Sequence, residues 1–168
     1  MAPLHPPDTH HLNAAAGWLE LGNPREAAAE MDRLSTTARS HPDTLEVLWR
    51  LCAAGRRWVE ALDIARSLIR LAPDQPSGWI NQSYSLHELK RTEEALSLLR
   101  PLVNRFPEVG AIAYNLACYS CQLDRLAEAR EWLEKAVKTK SRGEIRHLAM
   151  ADADLRPLWP EIAQWADE

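Results

Sequence analysis

Glycine is scarce and never clusters: the six glycines of this 168-residue chain are all isolated from one another. A phosphate-cradling loop needs several glycines within a few residues, so nucleotide binding through such a loop is excluded. Cysteine is rarer still. Three residues, an odd number, frame no disulfide scaffold. The lone Cys118-Tyr119-Ser120-Cys121 motif lacks the second pair that a structural zinc site requires. A basic excess is missing too: 20 Lys and Arg against 24 Asp and Glu leave a net charge of −4. A nucleic-acid surface calls for a basic stripe. No uncharged apolar run approaches the ~18 residues of a membrane span. Met1 to His11 has no basic stretch followed by an apolar one, so it does not read as a secretory leader. No Ser/His/Asp arrangement is legible. The expectation is a cytoplasmic, non-catalytic protein with no cofactor and no nucleic-acid or membrane partner.

What the chain does have is a period. Glu26-Ala27, Glu60-Ala61, Glu94-Ala95 and Glu128-Ala129 recur every 34 residues. A fixed spacing of this size marks a stacked repeat. Four residues after each alanine stand Met31, Ala65, Leu99 and Leu133; seven after stand Leu34, Leu68, Leu102 and Ala136. Those spacings put the side chains on one stripe of a helix. Pro73 and Pro107 follow the second and third alanines at equal distance and end a helix there, since proline lacks the N–H and clashes with the preceding turn.

The third repeat reads Trp79-x-x-Gln82-Ser83-x-x-Leu86, then Ala95-x-x-x-Leu99, then Pro107. This resembles the tetratricopeptide repeat (TPR) family, whose pattern runs Trp-x-x-Leu-Gly-x-x-Tyr, Ala-x-x-x-Phe, Pro. The resemblance implies an all-α, right-handed α-solenoid of four helix-turn-helix repeats over residues 9–140. Residues 1–8 then form a flexible arm and residues 141–168 a helical cap. First helices are expected near 9–21, 43–54, 77–89 and 111–123, and second helices near 25–39, 58–71, 92–105 and 126–139. Turns centre on Gly22, Gly55, Lys90 and Asp124. Asp43-x-x-Glu46 reads as a capping box. In the cap, Glu144 to Met150 reads as helix, Asp152 and Asp154 offer helix-start chemistry, and Leu155, Leu158, Ile162 and Trp165 follow at helical spacing.

Three departures stand out. The small residue expected before each anchor alanine is Trp49 in the second repeat, too large for a tight helix contact. The closing proline is missing from the first and fourth repeats, where Arg39 and Ser141 stand.

The resemblance also implies that first helices line a concave groove. One register of those helices reads Asn13, Val47, Asn81, Asn115. Asparagine is a middling helix former, and its amide both donates and accepts, as gripping an extended peptide backbone requires. The competing explanation is that these amides bond a neighbouring helix or water. Three residues on come Ala16, Arg50, Tyr84 and Cys118, of which Arg50 and Tyr84 are hot-spot residue types. The expected site is therefore Asn13, Val47, Arg50, Asn81, Tyr84, Asn115 and Cys118, holding a protein or peptide partner. With Arg50 as the one evident cation, the row does not resemble the TPR subgroup that clamps acidic chaperone tails. Self-assembly through end repeats or the convex face is the alternative, giving a homo-oligomer. His87, Cys118 and Cys121 fall near one another in register and form the only metal-like trio; close packing of small side chains explains them more simply. His5 on the arm, with His10 and His11 just beyond it, could bind metal only weakly, and a stable site is not expected there.

Overall fold

The computed structural model describes residues 3–165 and is helical throughout, with no strand among them. Two compact units divide the chain, Met1–Ser85 and Leu86–Glu168. The first contains α1 (Asp8–Glu20), α2 (Pro24–Asp32), a 3-10 turn (Ala38–Ser40), α3 (Pro42–Ala54) and α4 (Trp58–Leu71). Helix α5 (Pro76–Glu88) begins in the first unit and ends in the second. The second unit continues with α6 (Thr92–Leu99), α7 (Leu102–Arg105), α8 (Gly110–Gln122), α9 (Leu126–Val137) and α10 (Arg142–Ala151), then a 3-10 segment (Ala153–Leu158) and α11 (Trp159–Ile162). Among the described residues no helix is long and apolar enough to cross a membrane.

The repeat period sets the core. Ala27, Ala61, Ala95 and Ala129 are each fully buried. The stripes beside them, Met31, Ala65, Leu99 and Leu133, then Leu34, Leu68, Leu102 and Ala136, are buried as well. A methyl-sized side chain at the anchor lets paired helices approach, and the larger side chains at +4 and +7 fill the space beside the crossing.

Each first helix ends in the same way. Gly22, Arg56, Lys90 and Asp124 all take positive φ, at 70, 54, 64 and 60°. Each following residue donates its N–H back across the turn to the helix: Asn23 to Trp18, Arg57 to Cys52, Arg91 to Leu86 and Arg125 to Ser120, at 2.8–2.9 Å. The left-handed residue itself donates to Leu19, Ala53, His87 and Cys121 respectively. This pair of bonds satisfies the last free carbonyls of the helix. The second turn thus centres on Arg56 rather than the expected Gly55, which keeps φ −85° as the last half-helical residue. Register overrides the presence of a glycine one residue away.

Several boundaries depart from expectation. Helix α2 stops at Asp32 instead of running to residue 39. The hydroxyl run Ser35-Thr36-Thr37 explains the stop, because such side chains compete for backbone partners. Ser35 Oγ accepts the Ala38 N–H at 3.2 Å and donates to Asp8 Oδ2 at 2.7 Å. The expected 92–105 helix breaks into α6 and α7 at Pro101, which has no N–H and crowds the carbonyl of Ser97. The cap of α3 is His41, whose Nδ1 accepts the Asp43 N–H at 3.2 Å, with Pro42 at the first helical position. Asp43 therefore lies inside the helix, not at its cap. Leu4 packs on the first core, and Asp8 Oδ1 accepts the Ser35 N–H at 2.8 Å.

Candidate partner-binding face

In the first unit, α1, α3 and the start of α5 carry the expected row. Asn13 is exposed and Val47 is buried. Asn81 is only 7% exposed, and its Nδ2 donates to Glu46 Oε2 at 2.9 Å. Its amide is thus engaged by the preceding helix pair. Arg50 Nη2 lies 3.7 Å from Glu20 Oε1, and both side chains are well exposed. Exposed pairs of this length contribute little, ~0–1 kcal/mol.

Tyr84 stands 37% exposed. Its ring meets Trp49 edge-on, with centroids 6.1 Å apart at 79°, and Trp58 at 5.7 Å and 58°. Trp49, the bulky residue in the small-residue register, has its indole N–H donating to Ser85 Oγ at 3.0 Å. Ser85 Oγ in turn donates to the Asn81 carbonyl at 2.8 Å. The oversized side chain is accommodated by a polar contact and a tilted aromatic stack.

In the second unit, Asn115 is half-buried. Cys118 is 4% exposed, and its Sγ donates to Asp152 Oδ2 at 3.4 Å. The same carboxylate oxygen accepts the Tyr114 hydroxyl at 3.1 Å. Gln122 Nε2 donates to the Asp154 carbonyl at 3.0 Å. The 3-10 segment therefore lies along α8, held by donors from successive turns of that helix, with Leu155 and Leu158 fully buried beneath it. Asp152 also accepts the Asp154 N–H at 3.0 Å, the helix-start role expected of it.

His87 is buried, with Nδ1 3.0 Å from Thr92 Oγ1, Nε2 2.9 Å from Asp154 Oδ2 and its ring tilted over Tyr119 at 4.9 Å. Both ring nitrogens are thus engaged by oxygen partners rather than turned with the cysteines toward one centre. Burial, then the Asp152 carboxylate, pushes the Cys118 thiol well above its ordinary range. Burial, then Asp154, raises Cys121. Burial and the neighbouring Cys118 and Asp152 raise the Tyr114 phenol. Metal ligation and nucleophilic attack need the thiolate, which this surrounding disfavours. Among the described residues no group of three His, Cys, Asp or Glu is arranged to hold a metal ion.

Three of the recurring Glu residues at the anchors, Glu60, Glu94 and Glu128, are charge partners at the starts of second helices. Arg57 Nη1 donates to Glu60 at 2.9 Å, and Arg91 donates through Nε and Nη2 to both Glu94 oxygens at 2.7 Å. Glu128 pairs with Arg100 instead and accepts the Trp132 indole N–H at 3.1 Å.

Residues 81–144 match the family model described as Tetratricopeptide repeat. Those residues carry TPR sequence. The fold agrees. A solved thermophilic TPR protein of Thermus thermophilus, TTC0263, superposes with a TM-score of 0.78 at 18% identity, covering 94% of this chain and 84% of that one. MamA from Desulfovibrio magneticus RS-1, residues 41 to the end, gives 0.69 at 18% identity, covering 96% of this chain and 93% of that one. A MamA RS-1 double mutant gives 0.67 at 17% identity with the same coverages. A comparison with curated proteins found no match. TPR architecture points to protein–protein interaction or scaffolding rather than to chemistry.

Proposed function

We propose that this chain is a non-catalytic interaction module that holds a peptide or partner segment on the helix faces bearing Asn13, Val47, Arg50, Asn81 and Tyr84 in the first unit, with Asn115 and Cys118 the corresponding positions of the second. The observation that carries the reading is Tyr84, a part-exposed ring braced from two sides by Trp49 and Trp58. A rigid aromatic loses little conformational freedom when a partner covers it, and Tyr and Arg dominate binding hot spots. Arg50 holds the same register one repeat earlier, and its long pair with Glu20 exchanges at small cost. The other members divide by burial. Asn13 and Asn115 offer amides to a peptide backbone. Asn81 orients Glu46, Val47 serves as apolar floor, and Cys118 lies under the chain's own Asp152.

Placing the photo-crosslinker p-benzoylphenylalanine at position 84, and separately at exposed Glu108, tests this in native lysate. A defined partner peptide trapped from position 84 alone, and lost on Arg50→Ala, is the expected result. Equal trapping from both positions, or trapping that ignores Arg50→Ala, removes the proposal.

Self-assembly is the second reading, and one observation favours it: Leu148 and Met150 stand exposed on α10. Sedimentation velocity of wild type against Leu148→Glu decides it, since a concentration-dependent oligomer must weaken in the variant.

A further inference from the structure

We infer that the partner segment on the first unit is basic, with a Lys or Arg side chain seated in a cleft between the start of α3 and the start of α5. This rests on the interaction-module reading and adds the partner's chemistry.

The cleft has a volume of about 440 Å³, and its polar wall is His41, Asp43, Glu46, Gln75 and Ser77. Among the described residues that wall carries no lysine or arginine. Glu46 is the central group. Its Oε2 accepts the Asn81 amide at 2.9 Å, while its Oε1 is buried and accepts no hydrogen bond. A buried acceptor without a donor is costly, and a carboxylate more so than a neutral group. The Asn81 contact fixes the orientation of the carboxylate, so the second oxygen cannot turn away to water without breaking that bond. An ammonium or guanidinium seated in the cleft brings a compensating positive charge beside this carboxylate.

Charge complementarity points the same way. The cleft presents Asp43 and Glu46, while the nearest cation on α3, Arg50, already pairs with Glu20. The Asp43 side chain is 71% exposed at the mouth, where it attracts an approaching cation before the cleft desolvates it. Leu68 and Ala72 also line the cleft, and the methylene stem of Lys or Arg packs on such carbon. An organic cation fits better than a metal ion, because among the described residues no three ligating side chains converge. An acidic segment, by contrast, would meet the Asp43 and Glu46 carboxylates in the cleft.

The test uses the full chain and two capped peptides, one alternating Ala and Lys, the other Ala and Glu, followed by backbone amide NMR at low and physiological salt. The Lys peptide should shift amides of residues 41–46 and 75–78, with binding weakened by salt. Glu46→Gln should weaken it by about tenfold or more, as removal of one partner of a desolvated charge pair does. Asp63→Asn, which removes an exposed carboxylate paired with Arg66 on α4, should leave it within about twofold. Asp43→Asn, at an exposed position, is the second variant and should weaken binding several-fold. If Glu46→Gln fails to fold, Asp43→Asn decides alone. Unchanged binding in the folded variants, or no shift at these residues with the Lys peptide, overturns the proposal. Binding of the Glu peptide beside Arg50 and Tyr84 overturns the basic partner while leaving the interaction module standing.

Discussion

Gly110 and Thr139 share one space: a methyl group on Gly110 would overlap Thr139 Oγ1 and sit 3.0 Å from Thr139 Cβ. Gly110 starts α8, and Thr139 closes the turn after α9, where its hydroxyl donates to the Ala136 carbonyl at 2.8 Å. This glycine therefore marks a close approach between helix ends rather than an unusual φ. Gly110→Ala should cost about 1–3 kcal/mol, as forced overpacking does. Thr139→Ala removes the overlapping oxygen and should recover part of that loss in the double variant. Urea denaturation of the four proteins in the cycle gives the coupling. A simple sum of the single effects would show that the two residues are not in contact.

The four left-handed turn residues lead to substitutions of opposite sign. Gly22 has φ 70° and Lys90 has φ 64° in equivalent turns. A side chain in this region costs ~1–2 kcal/mol, of which glycine returns ~0.5–1 through its looser unfolded state. Gly22→Ala should destabilise by several tenths to about 1 kcal/mol, and Lys90→Gly should stabilise by a similar amount. Thermal melts decide both. Destabilisation by Lys90→Gly would mean that the lysine stem contributes packing outweighing its strained backbone.

The period carried most of the helical map, because one small side chain every 34 residues fixes both the crossing and the stripe beside it. The anchor alanines and their +4 and +7 partners needed nothing further. What escaped the period is local or long-range. The end of α2 depends on Ser35 reaching Asp8, 27 residues back. The split of the third repeat's second helix was legible in Pro101 and was outweighed by the stripe running through it. The His87–Asp154 contact joins residues 67 apart, and no repeat register predicts it, since the 3-10 segment leaves the repeat. Within the candidate site, the Asn81 row was visible but the partner of its amide was not. Glu46 precedes it by 35 residues, one off the period, and only helix packing brings that offset together.

Alkaline pH should weaken the fold. The Cys118, Cys121 and Cys52 thiols and the Tyr114 phenol are all raised, with burial the largest cause in each. The reference thiol and phenol values are 9.0 and 10.0. With native values above unfolded ones, the unfolded chain loses protons first. These groups therefore contribute stability that is fully present below about pH 8.5 and is lost as pH rises through and beyond the thiol range. Denaturation midpoints should fall between about pH 8 and 10.5, and Cys118→Ala should flatten that fall. In the native state at neutral pH, Cys118 should react with a bulky thiol reagent only as fast as the protein opens. Immediate stoichiometric labelling of Cys118 would contradict both the burial and the raised thiol.

Asn81 and Asn115 occupy equivalent registers and should separate on mutation. Asn81 is buried with its amide on Glu46, so Asn81→Ala leaves a second carboxylate oxygen without its donor. That loss should cost about 1–3 kcal/mol, the range for stranding a buried polar partner. Asn115 is half-buried, and Asn115→Ala should change stability by less than about 0.5 kcal/mol, as surface substitutions do. Partner binding should respond the other way, with Asn115→Ala weakening it several-fold at unchanged Tm. The Asn81 effect has its own control: in a Glu46→Leu background, where no carboxylate remains to be stranded, Asn81→Ala should cost markedly less. Equal costs in the two backgrounds would show that the Asn81 amide does not stabilise Glu46. A melting temperature lowered as much by Asn115→Ala as by Asn81→Ala would assign the whole asparagine row to the core rather than to a partner.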